Sequence, residues 1–440
     1  ELRRWLIIAL GALAIAGVYA LLLAISRIPG ADTLFPWPVA FYEKSLIIHV
    51  VFSFVVWYLA IAIILMMVGA ARMAEGKPRL NSLGASASAA MAIAFILLAV
   101  PALMDRGQPS LNNYVPAIID PLYYVGLLMV AFAVVLAAVR VLTNGVSRTG
   151  PLEPIGAAGM TSAVVAIAAV AAFAVAWNRL GVMPQIAAEN EDLFWAGGHI
   201  LQFLNTSVMI AGWILLGGRA LGEPPVTPRL VMMAFGLNAI LALGGFALMF
   251  VEAPFSAEER ILFTHYQYAL APVPIVTGLM IAANVIRAPK PDGEAGRTAR
   301  LALLLSLAVF FAGGILGIFV DGADTRTPAH YHGVIGGVNV AAMGLVILFV
   351  LPLLERGLAR WRAIRAAFWL YGLGQLLHSL GLFVAGGYGA PRKVSDTAPG
   401  MDVIGNWIGH VGIGIGGVIA VIGGIMFIWI AGRRALARAA

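Results

Sequence analysis

The stretch HYHGVIGGVNVAAMGLVILFVLP, residues 330–352, decides the fold of this chain. It is apolar and long enough to cross a bilayer, which takes about 20 residues of helix. It also begins with two histidines, and histidine inside a membrane segment is costly and usually functional. Successive residues of an α-helix are about 100° apart, so His330 and His332 point to opposite flanks of one helix. One helix could therefore hold two different metal groups, one on each side.

The rest of the chain has the same apolar character. It is 61% hydrophobic and 11% charged, whereas a soluble domain is nearer half apolar and a quarter charged. The apolar residues fall into runs of membrane-spanning length, namely 5–27, 46–71, 83–104, 121–143, 159–178, 194–217, 229–251, 261–287, 299–320, 330–354, 364–387 and 404–432. We therefore predict an all-α integral membrane protein in which residues 1–440 form a single domain of about twelve transmembrane helices. Because the chain has no cysteine, disulfides, iron–sulfur clusters and covalently attached haem are excluded.

The charged residues predict how the chain is oriented. Basic residues precede the first span and follow each even-numbered span, as Arg3, Arg72, Arg148 and Arg297 illustrate, whereas most acids lie in the opposite loops. This is the positive-inside pattern, and it predicts that both termini are cytoplasmic, in a bacterial inner membrane. The net charge of +7 then reflects topology and contact with membrane lipid rather than a surface for nucleic acid.

The histidines are concentrated in one layer. Six of the seven lie near the outer ends of even-numbered spans, and they are His49, His199, His265, His330, His332 and His410. His378 is deeper, in the eleventh span. Imidazole is a common axial ligand of haem and also binds copper and iron, so this layer predicts metal centres close to the outer face.

These features resemble the catalytic subunit (subunit I) of the haem–copper oxidase superfamily, in its nitric oxide reductase-like branch. The segment PAHYHGVIGGV resembles the family's tenth span and implies that His330 binds a high-spin haem and His332 a low-spin haem. SLIIHVVFSFVVWY resembles the second span, so His49 would complete the low-spin pair. HSLGLFVAGGYGAPRKVSD resembles the end of the eleventh span, which implies that Arg392 and Lys393 bind the haem propionates. The implied cofactors are two b-type haems.

The resemblance is incomplete at the family's second metal, which is copper or iron. That metal is held by one histidine of the sixth span and an adjacent histidine pair of the seventh. His199, in FWAGGHILQFLN, fits the first position, but Phe246 and Ala247 stand where the pair is expected. Neither side chain can bind a metal.

Three interpretations of this site remain open from the sequence. His265 is a substitute ligand beside His199, completed by Glu252, Tyr266 or Gln202, and this is the interpretation that we favour. Alternatively, His265 and Tyr266 are a displaced remnant of the histidine pair. In the third, the second metal is absent and His199 is a polar group above the high-spin haem. A carboxylate ligand would favour non-haem iron, whereas imidazoles alone would suit copper.

A further segment of this resemblance is NNYVPAIIDPLYYVGL, residues 112–127. It resembles a part of the reductase branch that packs over the haem layer. Asn112 and Tyr114 could form hydrogen bonds there, although ordinary loop capping is the simpler expectation.

The resemblance implies a respiratory reductase, and the residues favour nitric oxide over dioxygen as its substrate. Phe203 stands where many oxygen reductases have a tyrosine, and no Asp, Glu or Lys lies at the centre of a span. Reduction of nitric oxide to nitrous oxide without proton pumping fits both facts. Electrons would come from an outer-side partner that carries CuA or haem c. Protons would come from the outer acids Glu252, Glu258, Glu259 and Asp321.

Three alternatives remain. The first is an oxygen-reducing terminal oxidase similar to cytochrome c oxidase. The second is a haem electron carrier or gas sensor without catalysis, and the third is a transporter that merely contains histidines.

Overall fold

The computed structural model describes residues 1–26, 38–111, 114–320, 324–391 and 404–437. Its α-helices are α1 (Leu2–Ser26), α2 (Pro38–Val50), α3 (Trp57–Met73), α4 (Asn81–Leu103), α5 (Pro121–Val146), α6 (Pro154–Leu180), α7 (Ala187–Leu221), α8 (Pro228–Leu248), α9 (Ala257–Tyr266), α10 (Pro272–Arg287), α11 (Gly293–Gly317), α12 (Arg326–Leu345), α13 (Leu351–Leu353), α14 (Trp361–Gly387) and α15 (Ile404–Leu436). A π-helical segment, Val51–Val56, joins α2 to α3, and another, Val346–Val350, joins α12 to α13. A short 3₁₀ segment, Gln267–Leu270, lies between α9 and α10.

Twelve stretches of the described residues are helical, long enough and apolar enough to cross a membrane. The predicted fold class is therefore confirmed. The observed helices extend beyond several of the predicted runs, because helices continue into polar residues that a hydropathy pattern leaves out. The sixth span, for example, was predicted as 194–217 but belongs to a helix that runs from Ala187 to Leu221. His199 consequently lies more than three turns inside its helix.

Local sequence signals set several of the helix ends. The Asp120 carboxylate accepts a hydrogen bond from the backbone N–H of Leu122 at 2.9 Å, directly before Pro121 starts α5. Ser256 caps α9 in the same way, accepting from the N–H of Glu259 at 3.1 Å. Gly181 ends α6 with a left-handed backbone (φ 70°), the conformation that glycine adopts most readily.

A small hairpin before α5 is the part of the fold that hydropathy did not predict. Its strands are β1 (Gln108–Ser110) and β2 (Ala117–Ile119), which pair antiparallel with Gln108 opposite Ile119. Tyr114 lies in the connection between these strands. The hairpin therefore positions a residue that hydropathy alone leaves in an ordinary loop.

The chain divides into two compact units. The first comprises Glu1–Ala211 and Thr227–Thr277, and the second comprises Gly212–Val226 and Gly278–Ala440. In the first unit α1 packs on α2 and α3, and α6 packs on α3, α5 and α8. In the second unit α12 packs on α11 and α14, and α14 packs along α15.

Glycines allow the close packing of α14 on α15. A Cβ at Gly374 would collide with the backbone of Ala420, and one at Gly416 would collide with the backbone of His378. Gly409, on α15, is in the same relation to Ala385. Helices in membranes associate largely through such small-residue contacts, because lipid removes the hydrophobic drive between them.

Candidate haem-ligand and second-metal sites

His330 lies one turn inside α12, and its ring has a fixed orientation. The Nδ1 atom is 2.8 Å from the backbone oxygen of Gly313 on α11. A carbonyl oxygen can only accept, so Nδ1 carries the proton and Nε2 keeps its lone pair. A histidine anchored in this way is suited to bind a metal through Nε2, because the second hydrogen bond fixes both the tautomer and the ring direction.

The approach of α11 to α12 is what places the His330 ring. A Cβ at Gly317 would lie 2.5 Å from Nδ1 of His330, and one at Gly333 would lie 2.5 Å from the Cα of Gly313. Gly313 itself faces the backbone of Val334 with no space for a side chain. The glycines on both helices are therefore part of the His330 site.

Adding one methyl group at Gly313 tests this geometry. We expect Gly313→Ala to push α12 away from α11 and so to displace His330, at a cost of about 1–3 kcal/mol, as is typical of overpacking. The measurement is the thermal stability of the purified protein, which should fall. Gly314→Ala is the matched control, because nothing lies within 4 Å of a Cβ there. Equal effects from the two substitutions would contradict this account.

His332 lies beside a second histidine. Its ring is 4.8 Å from the ring of His378 on α14, in an edge-on arrangement. The Nδ1 atom of His378 is 2.9 Å from the backbone oxygen of Ile413 on α15. The ring of His332 thus packs against α14, whereas the ring of His330 is held by α11. The two histidines occupy different flanks of α12, as their spacing predicts.

His49 has the same backbone anchor as His330. Its Nδ1 atom is 2.9 Å from the carbonyl oxygen of Ala16 on α1, so Nδ1 donates and the Nε2 lone pair remains for a ligand. The π-helical segment Val51–Val56 begins two residues later. Such segments widen one turn of a helix and occur frequently at functional sites.

His199 has a different environment, since both of its nitrogens meet protein partners. Nδ1 is 2.7 Å from the backbone oxygen of Trp195, and Nε2 is 2.8 Å from the hydroxyl of Tyr114. Nδ1 must donate to the carbonyl, so the Tyr114 O–H donates to Nε2. The residue is 2% exposed. Its ring also lies 4.8 Å from Trp195 and 5.6 Å from Phe263.

Tyr114 is built into this pocket. A Cβ at Gly198 would lie 2.5 Å from the Cβ of Tyr114, so a glycine is required for the ring to lie there. Burial raises the pKa of the Tyr114 phenol well above its usual value, and the Glu191 carboxylate raises that pKa further. The phenol therefore remains protonated near neutral pH and can act as the donor.

Comparisons with known proteins bear on the family and the fold of this chain. The family model described as cytochrome c and quinol oxidase polypeptide I matches residues 2–420. The chain belongs to this family. Its fold is similar to a solved structure of a haem–copper terminal oxidase dimer, with a TM-score of 0.82 at 16% identity, covering 100% of this chain and 84% of that one.

Two curated relatives are similar along most of their length, and both carry the name uncharacterized protein. One, from Aquifex aeolicus (strain VF5), is 29% identical over 350 residues, which is 79% of this chain and 83% of the relative. The other, from Rickettsia prowazekii (strain Madrid E), is 23% identical over 504 aligned residues, covering 98% of this chain and 94% of the relative.

As a member of this oxidase family, the chain is expected to bind haem, and the donor set fits that group. His49 and His330 each hold Nδ1 on a backbone carbonyl and keep Nε2 for iron, which is the usual arrangement of a ligating histidine. His332 is placed on the opposite flank of the same helix as His330. Arg392 and Lys393, the expected propionate partners, lie outside the described residues.

The second metal of the oxidase family does not fit the residues present. Within the described part of the chain, no three His, Asp or Glu side chains form a group that could hold a metal ion. His265 and Glu252, the favoured partners of His199, are both exposed. The Tyr266 hydroxyl donates to the backbone oxygen of Leu241 at 2.7 Å. The structure therefore does not assemble the copper or iron site that the sequence favoured.

Gln202, the remaining candidate ligand, is engaged by protein partners. Its Nε2 atom donates to the backbone oxygen of Gly198 at 3.3 Å, and its Oε1 atom accepts from Asn205 at 3.1 Å. Phe203, where many oxygen reductases have a tyrosine, is fully buried and packs 5.4 Å from the ring of Tyr266.

Two ion pairs lie around Trp195, at the outer end predicted for this region. Arg179 pairs with Glu259 at 3.4 Å, and Arg260 pairs with Asp192. The Arg260 guanidinium also lies 6.0 Å from the centre of the Trp195 ring. Of the predicted outer proton donors, Glu259 is thus engaged in an ion pair, Glu252 and Glu258 are exposed, and Asp321 lies outside the described residues.

Two residues of this site, Tyr114 and Gly198, are only weakly indicated by the sequence. Ordinary loop capping is the simpler expectation for Tyr114 from the sequence, and in the structure its hydroxyl bonds to His199. Gly198 stands within FWAGGHILQFLN, directly before His199. The signal that could have found both is the glycine pair directly before His199, because two small residues beside a buried polar group leave space for a side chain from elsewhere.

Proposed function

We propose that this chain is a membrane-bound haem reductase that converts nitric oxide to nitrous oxide, with electrons from an outer-side partner that carries CuA or haem c. The observation that carries the proposal is the pair of anchored histidines, His49 and His330, each with Nδ1 on a backbone oxygen, which leaves the Nε2 lone pair for a ligand. The chain would lie in a bacterial inner membrane with both termini in the cytoplasm, as its basic residues suggest.

Bound haem, of the b type and present twice, would supply one-electron redox chemistry and an iron position for a small gas. The chain's own residues would hold that group and exclude water from it. His330 donates its Nδ1 proton to Gly313, which makes Nε2 a better donor to iron. His332, on the other flank of α12, and His49 are the proposed ligands of the low-spin haem.

The described side chains favour nitric oxide over dioxygen. Reduction of two nitric oxide molecules to nitrous oxide and water takes two electrons and two protons, whereas dioxygen reduction takes four of each. The buried charged residues Lys44, Asp120, Arg140 and Glu259 all lie near the ends of spans. Within the described residues no buried carboxylate therefore lies at the centre of a span to relay protons. Phe203 also stands at the position where many oxygen reductases have the tyrosine that helps to break the O–O bond.

Gas consumption by purified protein with a reduced donor tests the proposal. We expect nitric oxide to be consumed and one nitrous oxide to form per two nitric oxide molecules, with negligible oxygen uptake. Rapid oxygen uptake with negligible nitric oxide turnover would replace this function with that of a terminal oxidase. Haem without turnover of either gas would identify an electron carrier or gas sensor, and a sample without haem absorbance would refute all three.

A further inference from the structure

We infer that the Tyr114–His199 hydrogen bond takes the place of the second metal, and that this chain holds no copper or non-haem iron. The inference deepens the proposed function by describing its site. It rests on that function only for the presence of haem.

The first step concerns His199, the one residue that matches a ligand of the family's second metal. A metal needs a nitrogen lone pair of His199, but Nδ1 carries a proton donated to Trp195 and the Nε2 lone pair accepts the Tyr114 hydroxyl. The direction of both bonds follows from the carbonyl, which cannot donate. His199 is therefore fully hydrogen-bonded as a neutral ring.

The second step is that the Tyr114 ring is held in place by its neighbours. Its ring lies against α7 in the space provided by Gly198, 4.4 Å from the ring of His199 and 5.9 Å from that of Trp195. The His199 ring also faces Phe263. A metal at Nε2 would have to displace a half-buried phenol from its aromatic neighbours and leave its hydroxyl without this partner, which costs free energy.

The third step is that a metal there would lack further ligands. The hydroxyl of Tyr266 is engaged by Leu241, and the amide of Gln202 is engaged by Gly198 and Asn205. Phe246 packs 5.6 Å from the ring of Phe250, and Ala247 has no donor atom. A single histidine does not retain copper or iron, since sites for these ions need several donors in a defined geometry.

The experiment is a metal count on purified holoprotein. Total iron and copper are measured by mass spectrometry and haem by its absorbance as a pyridine complex. We expect iron to equal haem iron and copper to be far below one per chain. His199→Ala should leave the metal-to-haem ratio unchanged. One extra copper or iron per chain that is lost in His199→Ala but kept in His410→Ala would overturn the inference.

A double-mutant cycle supplies an independent readout of the pair. Tyr114→Phe and His199→Leu should each lower the Tm, and the double variant should lower it by less than the sum, because both remove the same hydrogen bond. Additive shifts would contradict the pairing. The two proposals fail separately: absence of haem would refute the proposed function, and an extra metal would refute only this inference.

Discussion

Replacing His330 with alanine is expected to remove one of two haems, to abolish binding of carbon monoxide to the reduced protein, and to reduce nitric oxide turnover to background. The reason is that His330 is the proposed ligand of the gas-binding haem, and its ring is held by Gly313 for that role. Haem content per chain should fall by half, and the low-spin signal should remain. Quantified haem and carbon monoxide difference spectra are the measurements.

The matched control for His330→Ala is His410→Ala. His410 is also half-buried, and its Nδ1 is 2.8 Å from a backbone oxygen, but that oxygen belongs to Asn406 in the same helix. This substitution should leave both haems in place. If His330→Ala retained both haem signals and its gas binding, the assignment of this histidine would be wrong.

The fold was predictable because the patterns that indicate it, apolar runs and residue spacing, each lie within a single stretch of sequence. A run such as 330–352 must be helical in lipid, where every backbone group needs a partner within its own segment. The spacing of His330 and His332 likewise fixes their separation around α12, and the contacts with Gly313 and His378 agree with it. The helix ends were less predictable, because polar residues continue α7 beyond its apolar part.

The candidate second-metal site was not predictable for a physical reason. The sequence shows that Phe246 and Ala247 are not ligands, but it does not show what satisfies His199 instead. The answer comes from Tyr114, 85 residues away, through a side-chain hydrogen bond that no periodicity encodes. Hydrogen bonds of this kind depend on which helices and hairpins meet. The exposure of His265 likewise depends on how α9 packs, which its sequence alone does not fix.

His332→Ala and His49→Ala are expected to have the same effect as one another, the loss of the low-spin haem signal with the high-spin signal retained. An iron with an imidazole on each side is low-spin, and removing either imidazole opens a position on the iron. Electron delivery should then stop, so nitric oxide turnover with the outer-side donor should fall to background. The measurement is the optical and electron paramagnetic resonance spectrum of each variant, with His410→Ala as control.

The comparison of these two variants with His330→Ala separates a ligand from a structural residue. A general loss of folding would remove both haem signals in all three variants, whereas ligand loss removes a different signal on each flank of α12. His332 packs against His378 and His330 against Gly313, so each substitution disturbs a separate helix contact. If His49→Ala kept the low-spin signal that His332→Ala lost, His49 would not be its second ligand, although α12 would still hold both haems.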